Sequence, residues 1–426
     1  TAVLTIEEAA NLDHLRERGY FVELDHPELG TVRDLGAPFK LPDSPGGPRS
    51  AAPLLGEHNH LLLAAADRAP IRPPARPRTG SGVDAARERA ADGATPTKGP
   101  LDGLRVANFG WVWAGPMVGQ TLAFGGAEVY KIESQARIDM SRTIPPFAEG
   151  IRGPNRSLSN HAGWAGNGSI TFNLKEPEGV ELVKEFVSHC DVVIENFSPG
   201  VMDRLGLGYA DLTAVRPDLV MFSMPAAGLT GPMRGIRTYG MSLASLTGLD
   251  SVTGYVDGPP IAMENAYSDP YNGILGAYSI IVALNHRRRT GRGQHIDFSQ
   301  QESMMQLMGP AFMDYVMNGN VAGTLGNRHP LAMAAPHGVF PCSGDDNWIT
   351  IVVTDDQEWA GLTEAATGTA WAGDARFTHH AGRMANLDDL HVQIATWTAG
   401  FDHRELASRL QDHGVAAAPV LSVGDL

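Results

Sequence analysis

The feature that most restricts the fold of this chain is an alternation that begins at Leu101. Short apolar runs, RVANFG, AEVYKIE, SITFNL, DVVIENF and LVMFSM, read as strands. Between them lie segments of helical character: PMVGQTLAFGG, a stretch opened by KEPEG at Pro177, and another around Val201 to Leu205. A strand followed by a helix and another strand closes most simply as a right-handed crossover. Repetition of that unit predicts a parallel sheet with helices on both faces. The first strand-to-helix turn, WVWAGP, lacks the GxGxxG dinucleotide fingerprint, but Ala114-Gly115-Pro116 still offers backbone amides to an anion.

The rest of the chain is read against this block. Residues 1–63 are compact in character, with a short helix in IEEAANLDHLRERG and paired strands in FVELDHPELGTVRDLGAPFKL turning at His26-Pro27 and Leu29-Gly30. Residues 64–99 are rich in Ala, Pro, Arg and Gly and carry almost no large apolar side chain. Such a segment buries too little surface to order itself, and it reads as a disordered linker. After the alternating block come a strand in QHIDFS and a Met-rich helix in QESMMQLMGPAFMDYVMNG, whose methionines read as core filler. From about Gly326 a smaller α/β region contains GVFPCS and WITIVV. The expected division is therefore 1–63, a linker over 64–99, a large domain over 100–300, a connecting helix over 301–325 and a small domain over 326–426.

Composition removes several function classes. A net charge of −15 argues against a nucleic-acid partner, although local cations still suffice for an anionic cofactor. Cys190 and Cys342 are the only cysteines, and neither has a neighbour at metal-ligand spacing, so neither a metal nor a disulfide framework is expected. No apolar run reaches about 18 residues, so no membrane association is expected. The first residues lack signal-peptide character, which makes a cytoplasmic setting the default.

One stretch stands out chemically. YSDPYNGILGAYSIIVAL, Tyr267 to Leu284, reads as a helix with a polar entry and a body apolar nearly all round, hence buried. Ser268 or Asp269 suits the N-cap and Pro270 the first turn. The helix dipole and backbone N–H groups favour the ionised carboxylate at such a position. Asp269 is either an ordinary cap or a carboxylate held charged for attack on a carbonyl carbon. The arginines at 287, 288, 289 and 292 admit a phosphate site, but also cations completing a helix C-terminus with Gly291 as the stop.

LDGLRVANFGWVWAGP, GGAEVYKIE, LKEPEG, DVVIENFSPGVMDRLGLGY, GLTGP, VDGPP, RRRTGRGQHIDFS, GNRHP and HGVAAAPVLSVGDL, in this order from Leu101 to Leu426, resemble the class III CoA-transferases of the CaiB/BaiF type, which include formyl-CoA transferase. GYFVELDHPELGTV, GAPFKL and APLLGEH, within residues 17–58, resemble the C-terminal segment of the same family, here placed first. AVLTIEEA at Ala2 also echoes PVLSVGDL at Pro419. With the linker between them, these features suggest part of a tandem two-copy transferase; a rearranged gene is the rival explanation.

The resemblance implies a Rossmann-like CoA-binding domain plus a small domain, in an interlocked homodimer or an intramolecular pseudo-dimer of two tandem copies. It implies acyl-CoA and a carboxylic acid as substrates. Asp269 becomes the nucleophile, passing through a mixed anhydride and an aspartyl-CoA thioester. CoA-binding positions of the family fall on Val112, Ala114, Asn196, Phe197, Arg204 and Arg237. Departures are informative. A glutamine used on substrate in formyl-CoA transferase is Trp113 here, which suits an apolar acyl wall better than formate or oxalate. A basic pair expected before SITFNL is Asn167-Gly168, and a Gly-rich flap is not evident. Two alternatives remain. In the α-methylacyl-CoA racemase branch Asp269 would work with a histidine, whose position is Tyr239 here, and a phenol is a poor base near neutral pH. The other is a non-catalytic CoA-binding half of a tandem protein.

Overall fold

The computed structural model describes residues 21–35, 48–60 and 99–421, apart from 257, 264–265, 309, 312–313, 315–317 and 330. The expected helix near the N-terminus, the linker and almost all of the echoing ends lie outside the described residues. What is described falls into two compact units, one formed by 21–250 with 262–320 and the other by 251–261 with 321–421.

The first unit opens with a hairpin, β1 (Phe21–His26) and β2 (Gly30–Leu35), paired antiparallel from Phe21↔Leu35 to His26↔Gly30. Then come β3 (Arg105–Asn108), α1 (Ala114–Phe124), β4 (Glu128–Glu133), α2 (Leu158–Trp164), β5 (Gly168–Thr171), α3 (Pro177–Ser188), β6 (Val192–Glu195), α4 (Val201–Arg204), α5 (Tyr209–Val215) and β7 (Val220–Ser223). The unit closes with α6 (Gly240–Leu246), α7 (Ser268–Thr290), β8 (Gln294–Asp297) and α8 (Gln300–Met305). The six strands from β3 onward form one parallel sheet in the order β5-β4-β3-β6-β7-β8. The first strand lies inside and successive strands add outward on both sides, the doubly wound order of dinucleotide-binding folds. Its switch point lies beyond the C-terminal ends of β3 and β6, where such sheets bind ligands. The strands are short and apolar because both faces are covered. Val106, Val192, Ile194, Val220 and Phe222 pack against α1 and α7 on one side, and Ala107, Val193 and Met221 against α3 and α5 on the other.

The stretch 48–60 seals the β5 edge. His58 N–H donates to Ser169 O at 2.8 Å, and Thr171 N–H to Asn59 Oδ1 at 2.6 Å. Gly56 N–H reaches Ser169 Oγ at 3.0 Å, and Arg142 reaches Pro53 O at 3.2 Å. An open strand edge is a template for unwanted pairing, and here a segment from before residue 61 occupies it.

Two expectations about helices change. From Gln300 the chain forms the six-residue α8 and then a 3-10 turn, Gln306–Met308, which interrupts the expected helix; the described residues at 310–311, 314 and 318 are helical again, and Met304 is buried while Met305 is exposed. α7 is longer than its apolar body, running on to Thr290. It is buried on one face only, through Asn272, Gly273, Gly276, Ala277, Ile280 and Ala283. Ile274, Tyr278, Ile281 and Val282 face outward. The helix was expected to be buried all round because its letters are apolar on every side, but the packing used the narrow glycine and alanine face.

The second unit contains β9 (His337–Pro341), β10 (Trp348–Val352), α9 (Asp356–Ala365), α10 (His380–Ala385), α11 (Leu387–Thr398), α12 (His403–Asp412) and β11 (Ala416–Val420). Its antiparallel sheet has the order β11-β10-β9 and a core of Phe340, Ile349, Ile351, Leu362, Leu390, Ile394, Leu406 and Leu410. The excursion 251–261 belongs to this unit and is tied to it by Gly326 N–H donating to Gly254 O at 3.0 Å. Nothing in the composition of that polar, Pro-containing stretch announces where it packs.

Candidate active site

A cavity of about 930 Å³ opens at the switch point of the large sheet. Its walls include the turn after β3 (Phe109, Trp111 to Ala114), the turn after β6 (Asn196, Phe197, Ser198) and the entries of α6 and α7 (Tyr239, Gly240, Ala266, Asp269). The sequence-derived candidates Val112, Trp113, Ala114, Asn196, Phe197, Arg237, Tyr239 and Asp269 all line it. Arg204 does not, although Val201 and Leu205 beside it do; its guanidinium lies out on α4 near Gly200.

Asp269 reaches this cavity because α1 and α7 pack at unusually short range. A Cβ on Gly273 would meet Met117 Cβ of α1 at 2.4 Å, and one on Gly276 would meet Val118 Cγ2 of α1 at 3.0 Å as well as Phe222 of β7 at 2.8 Å. Without those side chains the two helix entries come together, and the Asp269 carboxylate faces the Ala114 N–H. Asp269 is not the N-cap of its own helix. Tyr267 holds that position with helical dihedrals and no side-chain cap, while Ser268 is already helical and donates its hydroxyl to Gly240 O at 2.9 Å. Burial pushes the Asp269 carboxyl up to about 6, against hydrogen bonds from the Ala114 amide and its own that pull it down. The expectation that the helix entry would favour the ionised form is thus overridden by desolvation. At pH 7 roughly nine-tenths of such a group is still ionised, and it is more basic than an exposed aspartate. The amide foreseen at Ala114 therefore faces the protein's own carboxylate.

The turn after β3 is braced at almost every amide. Gly110 N–H donates to Asn108 Oδ1 at 2.8 Å, and Trp111 N–H to Asn196 Oδ1 at 2.8 Å. Asn196 Nδ2 returns a bond to Trp111 O at 3.0 Å, so this candidate side chain is committed to holding the turn. Val112 N–H donates to Asp139 Oδ1 at 3.1 Å. Beneath the turn lies a dry ionic cluster. Lys131 Nζ is 3.0 Å from Asp139 Oδ2 and 3.3 Å from Glu133 Oε2, and Arg142 grips Glu133 through two nitrogens at 2.8 and 2.6 Å. Burial drives the Lys131 ammonium below its usual range despite both acids. Burial also pushes Glu133 upward, but Arg142, Lys131 and Ser169 outweigh it and hold the carboxyl low.

Several lining residues escaped the sequence reading. Arg137 sits 4.9 Å over the Trp111 ring, which in turn meets Phe197 edge-on at 6.4 Å. With Arg237 and Lys175 it gives the wall three cations, a setting for an anionic ligand. Lys175 lies in the LKEPEG block and was legible there; Arg137 and Gln300 carry no local signal. The cluster from Arg287 to Arg292 is absent from the wall. Arg287 instead pairs with Asp191 at 2.9 Å, and Gly291 stops α7 in a left-handed conformation with φ 74°. Glu195, at the end of β6, is pushed up to about 7 by burial, which bonds from Ser223 and the Phe197 amide only partly offset. Among the described residues no group of three or more His, Cys, Asp or Glu is arranged to hold a metal, and no helix is long and apolar enough to cross a membrane.

A doubly wound sheet with an enclosed carboxylate against a helix entry at its switch point, in this motif order, defines a class: the chain belongs to CoA-transferase family III, whose sequence model matches residues 1–59 and 101–426. The interruption, 60–100, covers the whole of the Pro-, Ala- and Arg-rich stretch at 64–99. The chain is 33% identical over 334 residues to succinyl-CoA–D-citramalate CoA-transferase of Chloroflexus aurantiacus, covering 77% of this chain and 80% of the relative. It is 29% identical to a probable CoA-transferase of Mycobacterium tuberculosis over 100% of its own length, but spans only 51% of that protein. A crystal structure of a CaiB/BaiF family protein from Brucella suis superposes with a TM-score of 0.71 at 34% identity, covering 77% of this chain and 86% of the other.

Proposed function

We propose that the protein moves CoA from an acyl-CoA donor to a carboxylic acid acceptor, with Asp269 as nucleophile. The observation that carries this reading is the part-buried Asp269 carboxylate facing the Ala114 amide in the wall of a cavity with cations around it. Asp269 attacks the thioester carbonyl carbon, the C–S bond breaks, and CoA leaves as thiolate from a mixed anhydride. The thiolate then attacks the aspartyl carbonyl, releases the donor acid and leaves an aspartyl-CoA thioester. The acceptor carboxylate repeats the sequence in reverse: it attacks the aspartyl thioester, expels the thiolate, and the thiolate takes the new acyl group and frees Asp269. Arg237, Arg137 and Lys175 serve the phosphates, with Arg204 joining from α4 where the nucleotide extends beyond the wall.

Trp113 beside the nucleophile favours an acyl group larger than formate or oxalate, and the Chloroflexus relative points to succinyl-CoA and related dicarboxylic acids as first candidates. The second unit, 251–261 with 321–421, acts as the small domain, in a cytoplasmic protein. The outward apolar face of α7, Ile274, Tyr278, Ile281 and Val282, suits burial in an interlocked homodimer or against a second copy in a tandem protein. Light scattering of the purified chain separates a dimer from a monomer.

The chemical test is incubation with a panel of acyl-CoAs and trapping with hydroxylamine. A hydroxamate at Asp269, lost in Asp269→Asn, is the expected result. Solvent deuterium at the α-carbon without CoA exchange would instead indicate racemisation, and CoA binding with neither reaction a non-catalytic half.

A further inference from the structure

Val112 is a β-branched residue with φ 57°, in the left-handed region that such side chains rarely enter. It sits between Trp111, clamped by Asn196, and Ala114, whose amide meets Asp269. The strained residue is therefore the joint that turns the chain from the end of β3 into α1. Its own N–H is held by Asp139 Oδ1 at 3.1 Å, and the same oxygen takes Ser141 N–H at 3.0 Å. The other oxygen, Oδ2, faces Lys131 Nζ at 3.0 Å. Both side chains are 1% exposed, so water does not compete for either. Lys131 comes from β4 and is enclosed by the Trp164 ring at 4.3 Å and by Asn160 Oδ1 at 3.3 Å. Asp139 does not line the cavity. What it reaches is the joint.

We propose that Asp139 is a positioning residue: anchored on Lys131, it holds Val112 in its left-handed conformation, and through it fixes the Trp111 to Ala114 wall and the Ala114–Asp269 contact. The proposal deepens the Asp269 reading, on which its catalytic consequence rests. It differs from a plain structural ion pair in one respect. If Asp139 works by enforcing a positive φ, its importance depends on the residue at 112, because glycine adopts that conformation without enforcement. A buried charge pair that merely stabilises the fold has no such dependence.

The experiment is a double-mutant cycle of Asp139→Ala and Val112→Gly, with Asp139→Asn as the conservative variant. Each protein is checked by circular dichroism, then measured for equilibrium CoA binding and for the rate of hydroxylamine-trapped acylation. In the Val112 protein, Asp139→Ala weakens CoA binding and slows acylation about ten-fold, while in the Val112→Gly background the same change alters each by less than about three-fold. Asp139→Asn, which keeps the acceptor oxygen, falls between wild type and Asp139→Ala. Equal losses in both backgrounds from folded proteins, or no loss in either, overturn the proposal. CoA binding that follows the cycle in a protein that is never acylated leaves Asp139 in this role and removes the Asp269 reading instead.

Discussion

A Cβ on Gly240 would lie 2.2 Å from Asp269 Oδ2, so the first residue of α6 and the carboxylate on the first turn of α7 share a space that admits no side chain. Ala266 Cβ and Ser268 Oγ, each 2.9 Å from the same point, leave no room for the new methyl to turn aside. The carboxylate therefore has to move if residue 240 gains even one carbon. Gly240→Ala is expected to stay folded, losing about 1–3 kcal/mol to overpacking, and to slow acylation at Asp269 by at least about ten-fold. Hydroxylamine trapping beside an unfolding curve checks both. An acylation rate equal to wild type would mean that the carboxylate position is not critical.

Asp269 makes stability and activity depend on pH in opposite directions. Its folded pKa of about 6 lies above the unfolded value of 3.8, so the folded protein holds the extra proton between those values and loses relative stability as pH rises through them. At pH 8 the ionised carboxylate costs the fold on the order of 3 kcal/mol. Asp269→Asn should accordingly melt higher than wild type at pH 8, with the gap closing near pH 4, while wild-type acylation falls as pH drops through about 6. Comparing the two proteins at each pH offsets the contribution of Glu195, which burial pushes up to about 7 and which both proteins carry. Persistence of the acidic limb of the rate profile in Glu195→Gln assigns that limb to Asp269.

Gly273 carries the Asp269 helix against α1, and its Cβ would meet Met117 Cβ at 2.4 Å and the Met117 backbone at 3.2 Å. Gly273→Ala forces the two helices apart. It should destabilise by about 1–3 kcal/mol and weaken the Ala114–Asp269 contact, lowering the trapped-acylation rate. Gly291→Ala is the control on the same helix: it is strained by φ 74° at the C-terminal stop but remote from the site, and should leave acylation unchanged.

Arg142 is fully buried, and its two bonds to Glu133 sit under the cavity wall while a third reaches Pro53 O. Arg142→Met leaves Glu133 with only Lys131 and Ser169 as partners. Breaking a buried pair on one side costs about 3–5 kcal/mol, so a large drop in the denaturation midpoint is expected. Hydrogen exchange should show the 48–60 segment losing protection first, because it loses an anchor to the sheet. Uniform loss across the unit would instead mean that Arg142 supports the whole core.

The sheet was legible in the letters because its strands, buried on both faces, are continuous apolar runs punctuated by helical segments and turns. Asp269 could be located at a helix entry from Ser268 to Pro270, and the motif order placed Val112, Trp113, Ala114, Asn196, Phe197, Arg237 and Tyr239, all of which line one cavity. The sense of the Asp269 shift was not legible. Local sequence advertises a helix terminus and its dipole, whereas desolvation depends on Gly240, Ala266 and the approach of α1, which are distant in the chain or silent in composition. Arg137 at the wall and Asp139 beneath it were missed for the same reason: each acts through a partner more than twenty residues away, Trp111 or Val112.

By itself the sequence determined the periodicities, and with them the strands, the helices and their parallel order, since those follow from which side chains must leave water. Only the tertiary structure decided which face of α7 turned inward, which amide met the carboxylate and how dry that carboxylate became. Those outcomes depend on contacts between residues far apart in the chain, closed at hydrogen-bond and van der Waals distances of about 3–4 Å, and no local pattern of letters encodes a distance of that kind.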